Sequence, residues 1–307
     1  MGFWTVFSNA AYAYSGVENI SVAAAEARSP RRNIPRAAKR IFWRVLIFYV
    51  LSIFMVTLLV PSSDPNLLSS TGTAADSPFV IAATRANIPV IPSIINFIVL
   101  TSAWSAGNST LLGGSRTLFG LAQHRHAPAL FKRTNRWGVP YVAVAVVGIW
   151  VALGYMSLSS SAETIFVWLQ DLIAAAALVG WSISCIVYLR FYYALKKQGI
   201  SRDEVPWKGP LQPYAAWFSL VSFVILLLTG GYTAFINGHW NTQIFIGSYL
   251  DIFIVFCLYL GYKLLMKTRV IPLSEVPVRR FIDIAKQYPD PPEPSKTGWR
   301  KFNLLWE

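Results

Sequence analysis

Three carboxylates interrupt apolar stretches of this sequence: Glu18 in "AYAYSGVENISVAAAEA", Asp171 in "VWLQDL", and Asp251 near Ser248 and Tyr249. An ionised acid at the centre of a membrane helix costs about 2.5–3.5 kcal/mol on insertion scales, so each needs a partner, a cavity or a proton. Glu18 stands apart because Ser15 and Gly16 precede it within one turn. A helix opened there bares N–H and C=O groups, which persist at membrane depth only where they line a protected cavity. The ends of such a broken helix offer partial charges to an ammonium or a carboxylate. The alternative is that Gly16 permits close helix packing and Glu18 is a structural acid bonded to a neighbouring helix. Both fit the sequence.

The other polar groups are less pointed. Asp171, beside Gln170 and Trp168, fits either the border of an outer vestibule or a helix acid reached by interfacial water, and Asp251 fits a packing role. In "TSAWSAGNSTLLGGS", Ser105 and Asn108 are three apart and share a helix face, so a hydroxyl and an amide project together. Small residues there also serve helix packing. With no nucleophile–base pair and no metal-ligand spacing, neither an enzyme nor a metal or cofactor site is expected.

The elements that must position these groups follow from composition. The chain has 307 residues, 54% of them hydrophobic and only 13% charged, with a mean hydropathy of +0.46. A water-soluble domain is excluded on that basis, and an all-α integral membrane protein is expected. Seven apolar segments are long enough to cross a hydrocarbon core of about 30 Å. They are Phe3–Ala27, Ile41–Val60, Ile91–Leu112, Tyr141–Leu158, Ile165–Leu189, Tyr214–Ile236 and Ile244–Met266. Residues 1–268 thus form a membrane domain, and residues 269–307, rich in Pro and charge, form a tail expected to be mostly extended or disordered.

A net charge of +13 admits two readings, nucleic-acid binding or membrane topology, and placement decides between them. Every Lys and Arg except Arg85 falls in the loops after segments one, three and five or from Lys263 onward. That side is cytosolic by the positive-inside rule, so the N-terminus faces out, the C-terminus faces in, and nucleic acid is not a partner. Trp43, Trp137, Tyr141, Trp207 and Trp240 sit at segment ends and read as interfacial anchors.

The connections carry their own signals. Pro30 is expected to end the first helix and Pro35 to open a short second one. "DSPFVIAATRANIP" reads as a short outer helix capped by Ser77 or Asp76 with Pro78 near its first position. "GGSRTLFGLAQHRHAPALFKR" alternates apolar and basic residues in the manner of an amphipathic helix on the inner membrane face.

Two long strings resemble a known family. "AEARSPRRNIPRAAKRIFWR", with Glu26, Pro30, Ile34, Pro35 and Ala37 in an E-A-x-x-P-x-x-x-I-P-x-A spacing, resembles the joint after the sixth membrane helix of fungal amino acid permeases. "SPFVIAATRANIPVIPSIINFIVLTSAWSAGNSTLLGGSRTLFGLAQHRHAPALF" is similar to the same family from its seventh-to-eighth loop through helix eight. The end region, "FIGSYLDIFIVFCLYLGYKLLMKTRVIPLSEV", is similar to the dicarboxylic amino acid permease subgroup.

The resemblance implies an amino acid, polyamine and organocation transporter with a LeuT-like inverted-repeat fold of twelve helices, performing proton-coupled amino acid uptake across the plasma membrane. The segments here would be helices six to twelve. Tyr14, Ser15, Gly16, Val17 and Glu18 would match the broken part of helix six that holds substrate, with Glu18 the proton-coupling candidate. Ser105 and Asn108 would fall on helix eight and Trp168 early on helix ten as further substrate-binding residues, although helix ten reads "IAAAA" from Ile173 to Ala177 instead of a small polar Ser-Gly-x-Ser run. Helices one to five have no counterpart, so the expectation is a truncated permease with half a binding site. The rival readings are a seven-helix membrane receptor and a non-transporting partner of full-length permeases.

Overall fold

The computed structural model describes residues 2–23, 27, 29–68, 77–88, 90–158, 162–235, 240–289 and 291. All its regular elements are helical. In chain order they are α1 (Gly2–Tyr14), a 3-10 turn (Val17–Asn19), α2 (Ile20–Ala23), α3 (Pro30–Leu59), α4 (Pro78–Arg85) and α5 (Val90–Gln123). They continue with α6 (Tyr141–Ile149), α7 (Ala162–Lys197), α8 (Tyr214–Thr229), α9 (Thr242–Met266) and α10 (Val278–Gln287).

Among the described residues, four stretches are long and apolar enough to cross a membrane: Pro30–Leu59, Val90–Gln123, Ile165–Lys197 and Thr242–Met266. The remaining apolar segments are interrupted. The first opens after Tyr14, the fourth tightens from α6 into 3-10 geometry over Trp150–Leu158, and the sixth stops at Thr229 before Gly230 and Gly231.

Several boundaries differ from the sequence reading. Pro30 starts α3 instead of ending the preceding helix, and Pro35 lies inside α3. Proline fits the first helical position, where no N–H is needed, and one internal proline removes a single bond near an already under-bonded end. The expected amphipathic helix after segment three is not a separate element: α5 runs on to Gln123, and a 3-10 turn at Ala129–Lys132 follows Pro128. Ser115 and Ala122 are buried along this extension, so packing carries the helix past Gly113 and Gly114. α4 matches its expected span with Ser77 at the N-cap, although the Ser77 side chain makes no capping bond; Asp76 lies outside the described residues, as does Glu26.

The tail expected to be mostly extended or disordered holds one helix. Residues 278–287 form α10, whose Val278 and Ile282 seat against Ala194, Leu195 and Ile200. The spacing of Val278, Ile282 and Ala285 puts them on one helical stripe, which burial stabilises more than charge content disfavours it. Residues 292–307, with most of the Pro-rich run, lie outside the described residues.

α7 is the hub of the molecule. Ala174 and Leu178 meet Ala11 of α1, with Trp181, Phe223 and Leu226 packed around them. The "IAAAA" run thus provides a close-packing surface, since buried alanines let neighbouring backbones approach.

Candidate functional site

The site is built from the opening of α1. Gly16 adopts φ 92°, a left-handed conformation that L side chains rarely enter, and the chain then turns through Val17–Asn19 in 3-10 geometry. The exposed ends are satisfied locally. Ser15 Oγ donates to Tyr12 O at 2.8 Å, the Gly16 N–H donates to Glu18 Oε2 at 3.2 Å, and Ser21 Oγ donates to Glu18 O at 2.7 Å. Glu18 thus folds back over the break, as an acid at a helix N-terminus does when it accepts an orphan amide.

Three other helices hold this opening. From α7, Trp181 Nε1 donates to the same Glu18 Oε2 at 3.1 Å. From α3, the Tyr49 hydroxyl donates to Ala13 O at 2.8 Å, filling an acceptor that the interrupted helix leaves open, while the Tyr49 ring meets Tyr14 edge-on at 5.0 Å between centroids. On α5, Gly113 faces Asn19: a Cβ at Gly113 would stand 3.1 Å from Asn19 Oδ1. An apolar cavity of about 590 Å³ adjoins the break, with Phe7, Tyr14, Val17, Trp181, Cys185 and Phe223 in its wall.

The structure brings Tyr14, Ser15, Gly16, Val17 and Glu18 together as one opened turn. It does not bring Ser105 and Asn108 onto it. Asn108 Nδ2 donates to Trp104 O at 3.0 Å, a bond within α5, and the Ser105 backbone carbonyl accepts from Ser109 Oγ at 3.0 Å. At 100° per residue, Asn108 points about 140° away from the Gly113 face that meets Asn19. Trp168 is on α7 but thirteen residues before Trp181, about 20 Å along the axis.

Asp171 is likewise distant, about 15 Å from Trp181 along α7, and abuts α9, where a Cβ on Gly247 would stand 3.5 Å from its own Cβ. Asp251 lies on α9, in the same pair of packed helices.

Trp181, Tyr49, Asn19 and Gly113 escaped the sequence reading. Trp181 carried a usable signal: an indole midway along an apolar helix needs an acceptor, unlike the tryptophans at segment ends. The Glu18–Trp181 bond spans 163 residues, which no local pattern encodes.

Comparison with known proteins gives a consistent picture. The profile of the family described as "Amino acid permease" matches residues 1–273. A proline-specific permease of Saccharomyces cerevisiae is 39% identical over 270 residues, covering 86% of this chain and 43% of that protein. A probable lysine/arginine permease of Candida albicans is 36% identical over 308 residues, covering 97% of this chain and 53% of its own length. The dicarboxylic amino acid permease of Saccharomyces cerevisiae is 34% identical over 287 residues, covering 92% and 47%. The chain spans about half the length of the curated relatives it matches.

Proposed function

The chain belongs to the amino acid permease family, and from that premise we propose that the whole protein carries amino acids inward across the plasma membrane in symport with protons. It is an integral membrane protein, consistent with its four long apolar helices. Its apolar segments correspond in this reading to helices six to twelve of a LeuT-like transporter, with the N-terminus outside and the C-terminus cytosolic. Tyr14, Ser15, Gly16, Val17 and Glu18 meet the substrate in this reading, and Ser105, Asn108 and Trp168 are its further substrate-binding candidates.

The observation that supports this most directly is the opened helix: Gly16 at φ 92° with its N–H turned onto the Glu18 carboxylate. An opening of this kind leaves backbone dipoles beside an apolar cavity, the combination a zwitterion with a side chain requires. Glu18 fixes the unwound turn, since one oxygen accepts N–H groups from both Gly16 and Trp181. Its role as proton acceptor is the competing account of the same residue.

The experiment is uptake of labelled proline, lysine and aspartate by permease-deficient fungal cells expressing the whole protein, wild type or Glu18→Gln. Saturable uptake of one of them that falls as external pH rises is expected; no uptake of any by the wild type would overturn the reading. Glutamine retains an oxygen for both donors. Proton dependence unchanged in Glu18→Gln assigns the residue to fixing the turn, and uptake made insensitive to pH assigns it to the proton.

A further inference from the structure

We infer that Trp181 is a positioning residue, an indole strut that sets the opened turn against α7 through Glu18; the inference rests on that turn being the substrate site. The geometry is a chain of three contacts. The Gly16 N–H and the Trp181 Nε1–H converge on one oxygen, Glu18 Oε2, at 3.2 and 3.1 Å. The carboxylate therefore ties the backbone of the break to the middle of α7. Behind it, the indole packs on Phe223 of α8 with centroids 5.4 Å apart and an interplanar angle of 48°.

That backing matters physically. An indole has one donor in a rigid ring, so an N–H whose ring is pinned from behind fixes the acceptor's position as well as its bonding. Trp181 lines the 590 Å³ cavity together with Tyr14 and Val17. Holding Glu18 thus also fixes how the opened turn and α7 meet beside that cavity. Below this point, Ala11, Ala174 and Leu178 pack α1 directly onto α7, and this contact does not depend on the indole N–H. The strut acts on the turn alone, so its removal frees residues 15–21 while α1 and α7 stay packed.

The role predicts a test with two separable readouts. Trp181→Phe keeps a ring against Phe223 and deletes the N–H. In the whole protein, amide hydrogen exchange of the segment around residues 12–22 should accelerate about tenfold, and the segment of α7 around position 181 should be unchanged. Glu18→Ala should accelerate the same segment at least as much, and the double variant should be no worse than Glu18→Ala alone, since the strut has nothing left to hold. Glu18→Gln, which keeps an acceptor oxygen, should restore most of the protection. In uptake of whichever of proline, lysine or aspartate is carried, Trp181→Phe should raise KM about five- to tenfold, as for one ordinary hydrogen bond lost at a solvent-exposed position, with a smaller change in maximal rate.

Unchanged exchange at residues 12–22 in Trp181→Phe overturns the inference. So does acceleration spread equally along α7, which would mark a packing residue. Should Trp181→Phe fail to fold, replacement of the indole by its sulfur isostere benzothiophene, which lacks only the N–H, gives the same comparison. Absence of uptake by the wild type would sink the transport reading while leaving the exchange result to decide the strut.

Discussion

Replacing Ile282 with alanine should release α10 from α7. Ile282 is 6% exposed and, with Val278, seats on Ala194, Leu195 and Ile200. Truncating a buried isoleucine to alanine costs roughly 2–5 kcal/mol. Because α10 lies at the edge of the fold, where neighbours relax into the gap, the low end of about 2 kcal/mol applies. At about 1.4 kcal/mol per factor of ten, the open fraction rises about 30-fold. The polar ties remain in the variant: Gln198 Nε2 donates to Leu273 O and Val276 O at 2.9 Å each, and Arg31 Nη1 donates to Ala285 O and Tyr288 O at 2.6 Å each. The change therefore reports packing alone. Trypsin cleaves after Arg279 and Arg280 only when this helix opens, and where reclosing outpaces cleavage the rate follows the open population. In detergent, cleavage at these two sites should be about 30-fold faster in Ile282→Ala than in the wild type. Phe281→Ala, which removes a larger side chain that is 65% exposed, should stay near the wild-type rate. A rate for Ile282→Ala within about twofold of wild type, or an equal effect from Phe281→Ala, would refute the assignment of the buried face.

Other expectations test separate features. A Cβ on Gly231 would stand 2.5 Å from Tyr249 Cε2 and 2.8 Å from Ser248 Cβ, so Gly231→Ala should destabilise by about 1–3 kcal/mol. Gly180 has nothing within 4 Å of such a carbon, so Gly180→Ala in the interior of α7 should stabilise by about 0.5–1 kcal/mol; thermal unfolding in detergent compares the two. Asp64 is buried at 2% exposure with its carboxylate 2.6 Å from Arg85 Nη2. Breaking a fully buried pair costs about 3–5 kcal/mol, and discounting for the half-exposed guanidinium leaves about 2 kcal/mol for Arg85→Met, part of which Asp64→Asn in the same chain should recover. Recovery is read in the same unfolding assay. The hydrogen bond and charge of Lys208 hold the Asp203 carboxyl below the usual carboxylate range. A lowered folded pKa means the contribution is complete above the unfolded value near 3.9 and is lost as pH falls through the folded one. Amide exchange in the 201–208 loop should therefore be insensitive to this group from about pH 5 to 8 and loosen only in stronger acid, whereas a transition near pH 6 would contradict the pairing.

The parts of the site that were legible in the sequence are the local ones. Ser15, Gly16 and Glu18 lie within one turn, which marked the place as either an opening or a close-packing point, and φ 92° at Gly16 shows the opening. The α4 boundaries were legible for the same reason, with Ser77 and Pro78 marking a start. Ser105 and Asn108 were correctly seen to share a face, but which way that face points is set by where Asn19 packs on Gly113. The helix at 278–287 was missed because the Pro and charge content around it outweighed a short apolar stripe whose value comes only from the groove it fills on α7.

The sequence by itself determined that this is a helical membrane protein, through apolar length and the one-sided distribution of Lys and Arg, and it marked Gly16 as a place where either an opening or close helix packing fits. Those are properties of composition and of single residues. Only the tertiary structure decided what Glu18 does there. Its partner Trp181 lies 163 residues away on a different helix, and the pairing follows from small residues at Ala11 and Ala174 that let α1 and α7 approach closely enough for one indole N–H to reach one carboxylate oxygen.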